Sequence, residues 1–284
     1  MSEITAAGLQ ALCDFDVQEQ LVRTALASAL AEPYARVRFL GRYTSWNGLF
    51  GSGVAALAGK IGRSRGLFFD AEQPLRAVAD RSVYVASYFF DAARDEFDDR
   101  DTVHRDTHRC LAQSTLMATI DYETAAAGLP MSIAEVNVLL ADPPWLAQLN
   151  SRVATGYGAG SPDELQNIFE SIGYHLGSEL LADREFSIID ETLRTHAPGL
   201  VEYLQGTQVS IAGQEHAAYQ WIAIHSGHGG GAEADHFEWA TQGARLALRF
   251  SDRTGHASLR AALDRGFVAF ARDHREFFER VIAD

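Results

Sequence analysis

Cysteine is nearly missing from this chain, with Cys13 and Cys110 as its two. Two are too few for a disulfide framework or a thiolate zinc site, and they agree with a reducing compartment. Cations are scarce as well: 24 Lys and Arg stand against 38 Asp and Glu, a formal charge of −14, which repels nucleic-acid backbones and anionic lipid. No stretch approaches the roughly 20 apolar residues that span a bilayer. The opening MSEITAAGLQ has no basic region followed by an apolar run. A cytoplasmic protein with no nucleic-acid or membrane partner is expected.

Proline is sparse too, at 7 among 284 residues, and the two-residue alternation of half-buried strands is nearly absent. What the chain does have is apolar residues recurring at three and four positions, the amphipathic-helix pattern, and 47% hydrophobic residues to fill a core. The pattern predicts helices over 16–32, 71–97, 102–127, 131–140, 161–194, 212–225, 232–250 and 256–283, with a small element at 199–204. Neither a long polar linker nor a repeat divides the chain. The expected fold class is therefore all-α, a single helical domain over 1–284 whose core bundle spans about 71–284, with the N-terminal helices of 1–70 packed on it.

The Gly-rich segment GLFGSGVAALAGK, 48–60, fails as a phosphate loop, because Val54 stands where the first glycine is required and Ile61 follows the lysine. Its small residues predict two helices in close approach. No nucleophile elbow and no His-Glu-x-x-His motif occurs, and Cys110 points to a different helical face from His108.

The placement of the histidines is more informative. His104 and His108 are four apart and share a helical face, with Glu96 shortly before them across an Asp-rich turn. A second cluster, IHSGHGGGAEADHF, holds His225, His228, Glu233, Asp235 and His236. Glu233 and His236 are three apart, the spacing by which carboxylate-bridged di-iron bundles place a Glu and a His on one face. A continuous helix would also align His225 with His236, eleven residues on. Glu179 lies in a small and apolar stretch, where a carboxylate must be paired, protonated or metal-bound. Glu185 and Asp190 are expected to be more easily solvated. His175, His196, His216, His256 and His274 read as ordinary surface or core histidines. Mixed imidazole and carboxylate donors suit iron or manganese with open positions.

At these residues the chain resembles the heme-oxygenase-like di-iron oxidases and oxygenases, a helical superfamily that also holds thiaminase-like and pyrroloquinoline-quinone-synthesis proteins. In that family one helix offers Glu then His, a second offers Glu, and a third offers His, carboxylate and His. The resemblance, over roughly 71–249, implies metal ligation by Glu96 with His108, by Glu179, and by His228, Glu233 and His236, with His104 and His225 as alternates. Glu233 stands where Asp is more usual, and the glycine run widens the spacing. The resemblance implies two irons per chain, dioxygen as co-substrate, and a small organic substrate such as an amino acid, a fatty acid or a natural-product intermediate. An electron donor or reductase is an open partner, and a homodimer is the default assembly. Two other readings stand beside it: a metal-independent thiaminase-like hydrolase or cofactor-processing enzyme on the same fold, and a non-catalytic helical binding protein.

Overall fold

The computed structural model describes residues 4–97, 105–126, 131–226 and 232–284, the side chains at 126 and 232–234 excepted. In chain order the described helices are α1 (Ala6–Gln10), α2 (Phe15–Ala29), α3 (Pro33–Asn47), α4 (Phe50–Arg63), α5 (Ser82–Phe97), α6 (His108–Ala126), α7 (Ile133–Leu140), α8 (Pro144–Gly156), α9 (Leu165–His196) and α10 (Pro198–Gly206). A two-stranded hairpin follows, β1 (Gln208–Ile211) and β2 (Gln214–Ala217), then α11 (Gln220–His225), α12 (Ala232–Arg249) and α13 (His256–Ala283).

Local chemistry sets the boundaries. The Glu32 carboxylate accepts from the Ala35 amide at 3.0 Å and Pro33 occupies the first turn, so this proline opens α3 besides stopping α2. Ser132 and Glu135 form a reciprocal capping box on α7. The helix expected over 71–97 begins only at Ser82. Pro74 interrupts the earlier part, and the Asp80 carboxylate binds the Ser82 amide at 2.9 Å, starting α5 there. The helix expected over 212–225 is corrected to a hairpin plus the short α11. Ala212 and Gly213 take φ of 53° and 82°, the double positive-φ turn that matches strand twist. Gln208 pairs with Ala217 and Ile211 with Gln214. The periodicity delimits none of α1, α3, α4 and α8.

The long α9 runs through the centre, and every residue from Ser171 to Glu179 is buried. Its chief neighbour is α13. Two glycines allow that contact: a Cβ on Gly173 would lie 1.9 Å from the Leu263 carbonyl oxygen, and one on Gly266 would lie 1.8 Å from that of Glu170. Only backbones without side chains approach so closely. Around this seam the core is aromatic, with Trp46 of α3 stacked on Phe277 of α13 at 4.4 Å. Two of the glycines of α4 serve close approach: a Cβ on Gly53 would meet the Tyr157 ring at 2.3 Å, and one on Gly51 would meet Glu96, whereas Gly59 and Gly62 have room for one.

Glu185 and Asp190 depart from expectation, being buried at 3% and 0% exposure. Each is paired, as burial of a carboxylate requires. Glu185 lies between the Tyr43 hydroxyl and His274, and Asp190 takes Tyr219 and Arg194.

Candidate metal centre

Five helices bring their chemistry to one place beside the middle of α9. The last turn of α5 supplies Asp95 and Glu96, α6 opens on His108, α9 offers His175 and Glu179 one turn apart, α11 closes on His225, and α12 carries His236. The hairpin has a positioning role. Asp106, just before α6, bonds His216 of β2, while Ser114 and Thr115 of α6 reach the carbonyls of His216 and Ala218 at 3.1 and 2.7 Å. These bonds pin the approach to α11 against α6, and so bring His225 to His108.

One ligand atom from each of Glu96, His108 and His225 lies within 4.8 Å of the others. His108 Nδ1 is 3.1 Å from Glu96 Oε1, yet that nitrogen is buried without the alignment of a hydrogen bond. The ring of His225 is fixed from two sides: its Nδ1 bonds the Trp221 carbonyl at 2.6 Å, and Phe186 stacks on its face at 4.3 Å. With Nδ1 donating, Nε2 carries the ring's lone pair. The His108 and His225 rings meet edge to face at 4.7 Å.

A second group adjoins the first through α5. His236 reaches Asp95 through Nε2 at 3.0 Å and Glu179 through Nδ1 at 3.4 Å. Glu179 also lies 3.1 Å from His175 Nδ1, and the Nε2 of His175 is buried with no hydrogen-bond partner among the described residues. The imidazoles are almost wholly enclosed, with His175, His225 and His236 at 0–2% exposure.

Burial and mutual charge set the protonation. Burial would raise the Glu96 carboxyl, but His108 foremost, then His225 and His236, outweigh it and hold it at about 2. Burial pushes His225 down to about 3, reinforced by His108, and lowers His175 against the pull of Glu179. Burial would also lower His108, but the Glu96 carboxylate more than offsets it and the net direction is up. His175 and His225 are thus held neutral and Glu96 ionised, the forms that coordinate a metal, whereas His108 must give up the proton that Glu96 favours before it can do so. The donor set, oxygen and nitrogen with no thiolate, fits iron or manganese, and the orphaned Nε2 of His175 is a place where a metal would satisfy a buried polar atom.

No family model and no curated protein matches the sequence. A solved structure of a TenA homologue from Pseudomonas syringae pv. tomato aligns over 98% of this chain and 92% of its own, at a TM-score of 0.53 and 11% identity. The chain shares the all-α fold of that structure. At that identity the likeness is one of architecture.

Of the residues singled out from the sequence, Glu96 and His108 stand together, with His225 as their third neighbour. Glu179 and His236 stand together beside them. His104 and His228 lie outside the described residues, and so does the side chain of Glu233 in the first turn of α12. His225 and His236 sit on separate helices, not on the continuous one considered from their spacing. Two cluster members had escaped notice. Asp95 was hidden in the acidic run DEFDDRD, and His175 had read as an ordinary core histidine. The available signal for His175 was its four-residue spacing from Glu179, the rule that paired His104 with His108.

Proposed function

We propose that this chain is a non-heme iron enzyme that holds two irons and uses dioxygen to oxidise a small organic substrate. The observation that carries the reading is the convergence of Glu96, His108 and His225 within 4.8 Å, next to His175, Glu179, His236 and Asp95. Glu96, His108 and His225 would hold one ion. Glu179 and His236, with Asp95 and His175 at hand, would hold the other. Iron bound there supplies the oxygen chemistry. The chain's own part is placement: the Trp221 carbonyl and the Phe186 ring fix the His225 tautomer and plane. Gly51 leaves room for Glu96, since a Cβ there would press to 2.9 Å of the Glu96 Cβ. The apolar core around the imidazoles keeps water from them.

The likeness to a TenA homologue favours a second reading, a metal-independent thiaminase-like enzyme in which the same side chains move protons. Anaerobic loading with ferrous iron separates the two. About two irons per chain, with affinity reduced on the order of 100-fold or more by Glu96→Ala or His225→Ala, is the expected result. A folded wild type that takes up no iron would give the answer to the second reading.

A further inference from the structure

Behind His225 lies a cavity of about 30 Å³, set among α2, α3, α6, α9, α10 and α11. Its wall is shared with the metal cluster, because Phe186, stacked on His225 at 4.3 Å, and Trp221, whose carbonyl holds His225, both line it. Polar residues contribute to the lining, but no polar atom surfaces in it. Thr115 and Thr119 turn their hydroxyls to the Ala218 and Thr115 carbonyls at 2.7 and 2.8 Å. The Tyr43 hydroxyl is bound to Glu185 and Arg36 to Glu123, while Arg36 Nε and Trp221 Nε1, which have no hydrogen-bond partner among the described residues, lie beneath the carbon surface.

A wall of carbon alone gives water none of the two to four partners it needs, and such cavities stay dry and take apolar guests. Size then limits the guest. A cavity of about 150 Å³ accepts benzene, so a space near 30 Å³ excludes an organic substrate and admits a diatomic gas or a noble-gas atom. We infer that this cavity is a docking station for dioxygen on its way to the metal cluster, one aromatic layer from His225. The inference rests on the proposed use of dioxygen and adds to it the site through which the gas arrives.

Xenon is the probe, being apolar and of suitable size. Crystals of the full chain under xenon pressure, or xenon-129 shifts in solution, should show one guest beside Phe186 and Trp221. Ala29→Leu and Leu204→Phe fill the cavity from α2 and α10 without touching the cluster, and circular dichroism reports whether each is folded. Both should lose xenon and keep the iron stoichiometry of the wild type. The second-order rate of the ferrous protein with dissolved dioxygen, followed by stopped-flow absorbance, should fall about tenfold, the order of discrimination that one misplaced methylene imposes. A wild-type cavity that takes no xenon overturns the inference. Loss of xenon in both variants with an unchanged dioxygen rate overturns the dioxygen role. Failure of iron binding is a separate measurement; it removes the proposed function and the dioxygen role together, while xenon still reports whether the cavity takes gas.

Discussion

Two buried clusters of histidine and carboxylate sit on α9, and they are built on opposite rules. Around Glu185, the polar groups close on one another: His274 reaches Glu185 at 2.6 Å with one ring nitrogen and Gln18 at 2.8 Å with the other, Gln18 bonds the Ala271 carbonyl at 2.9 Å, and Tyr43 donates to Glu185. None of these four buried side chains has an unpartnered polar atom. Around Glu179, six residues earlier, the same residue types converge, yet His175 Nε2 has no partner among the described residues and His108 Nδ1 meets Glu96 at 3.1 Å only as a poorly aligned ion pair. A fully satisfied polar core is structural cement, whereas an incomplete one in an otherwise well-packed interior marks a place for a further group. Burial and residue type do not distinguish the two clusters; completeness of hydrogen bonding does.

The sharpest test of this contrast is His274→Ala. Removing one partner of a buried pair strands the other, so urea unfolding should show a loss of about 3–5 kcal/mol, with iron stoichiometry unchanged. Reduced iron uptake in a folded His274→Ala protein would blur the distinction. Next in size is Tyr43→Phe, which takes a donor from buried Glu185 and should lower stability by about 1–3 kcal/mol. His175→Leu should behave otherwise. In metal-free protein it removes a ring with an orphaned nitrogen but also takes one partner from buried Glu179, which keeps His236 at 3.4 Å, so the loss should be smaller than at His274, about 1–3 kcal/mol. A large loss there would mean that His175 is cement after all.

The smallest effect concerns the seating of α5, which carries Asp95 and Glu96. Burial tends to raise the Asp80 carboxyl, but hydrogen bonds from the Ser82 amide and hydroxyl, with Arg65 adding to them, lower it below the usual aspartate value. A carboxyl depressed in the folded state favours folding above its unfolded pKa of about 3.9 and loses that contribution as pH falls through the lower folded value. Thermal melts of wild type between pH 5 and 2 should therefore descend more steeply than those of Asp80→Asn. Parallel curves would remove Asp80 from the account.

Much of the helical framework was legible because helix formation is largely a local matter. The closing helix was expected over 256–283 and is observed as His256–Ala283, its apolar residues recurring at helical spacing with no proline to interrupt them. Reading failed where a local signal was weaker than periodicity. Pro74 and the Asp80 cap shorten α5, and an Ala-Gly turn folds 208–217 into strands too short for alternation to register. In the candidate centre, Glu96, His108, Glu179 and His236 stood out by residue type and spacing, while Asp95 and His175 were lost among acids and core residues of the same kinds.

By itself the sequence determined the all-α class and most helix positions, because periodicity, caps and prolines act over a few residues. It also marked the imidazoles and carboxylates whose chemistry suits a metal. Tertiary structure alone decided that His225 stands beside His108, that Glu185 is buried and satisfied while His175 is buried with its Nε2 unpaired among the described residues, and that a carbon-lined cavity lies behind Phe186. Those outcomes depend on helix against helix, on contacts such as Gly173 against Leu263 and His216 against Asp106. No spacing along one chain segment encodes the distance to another; packing sets it.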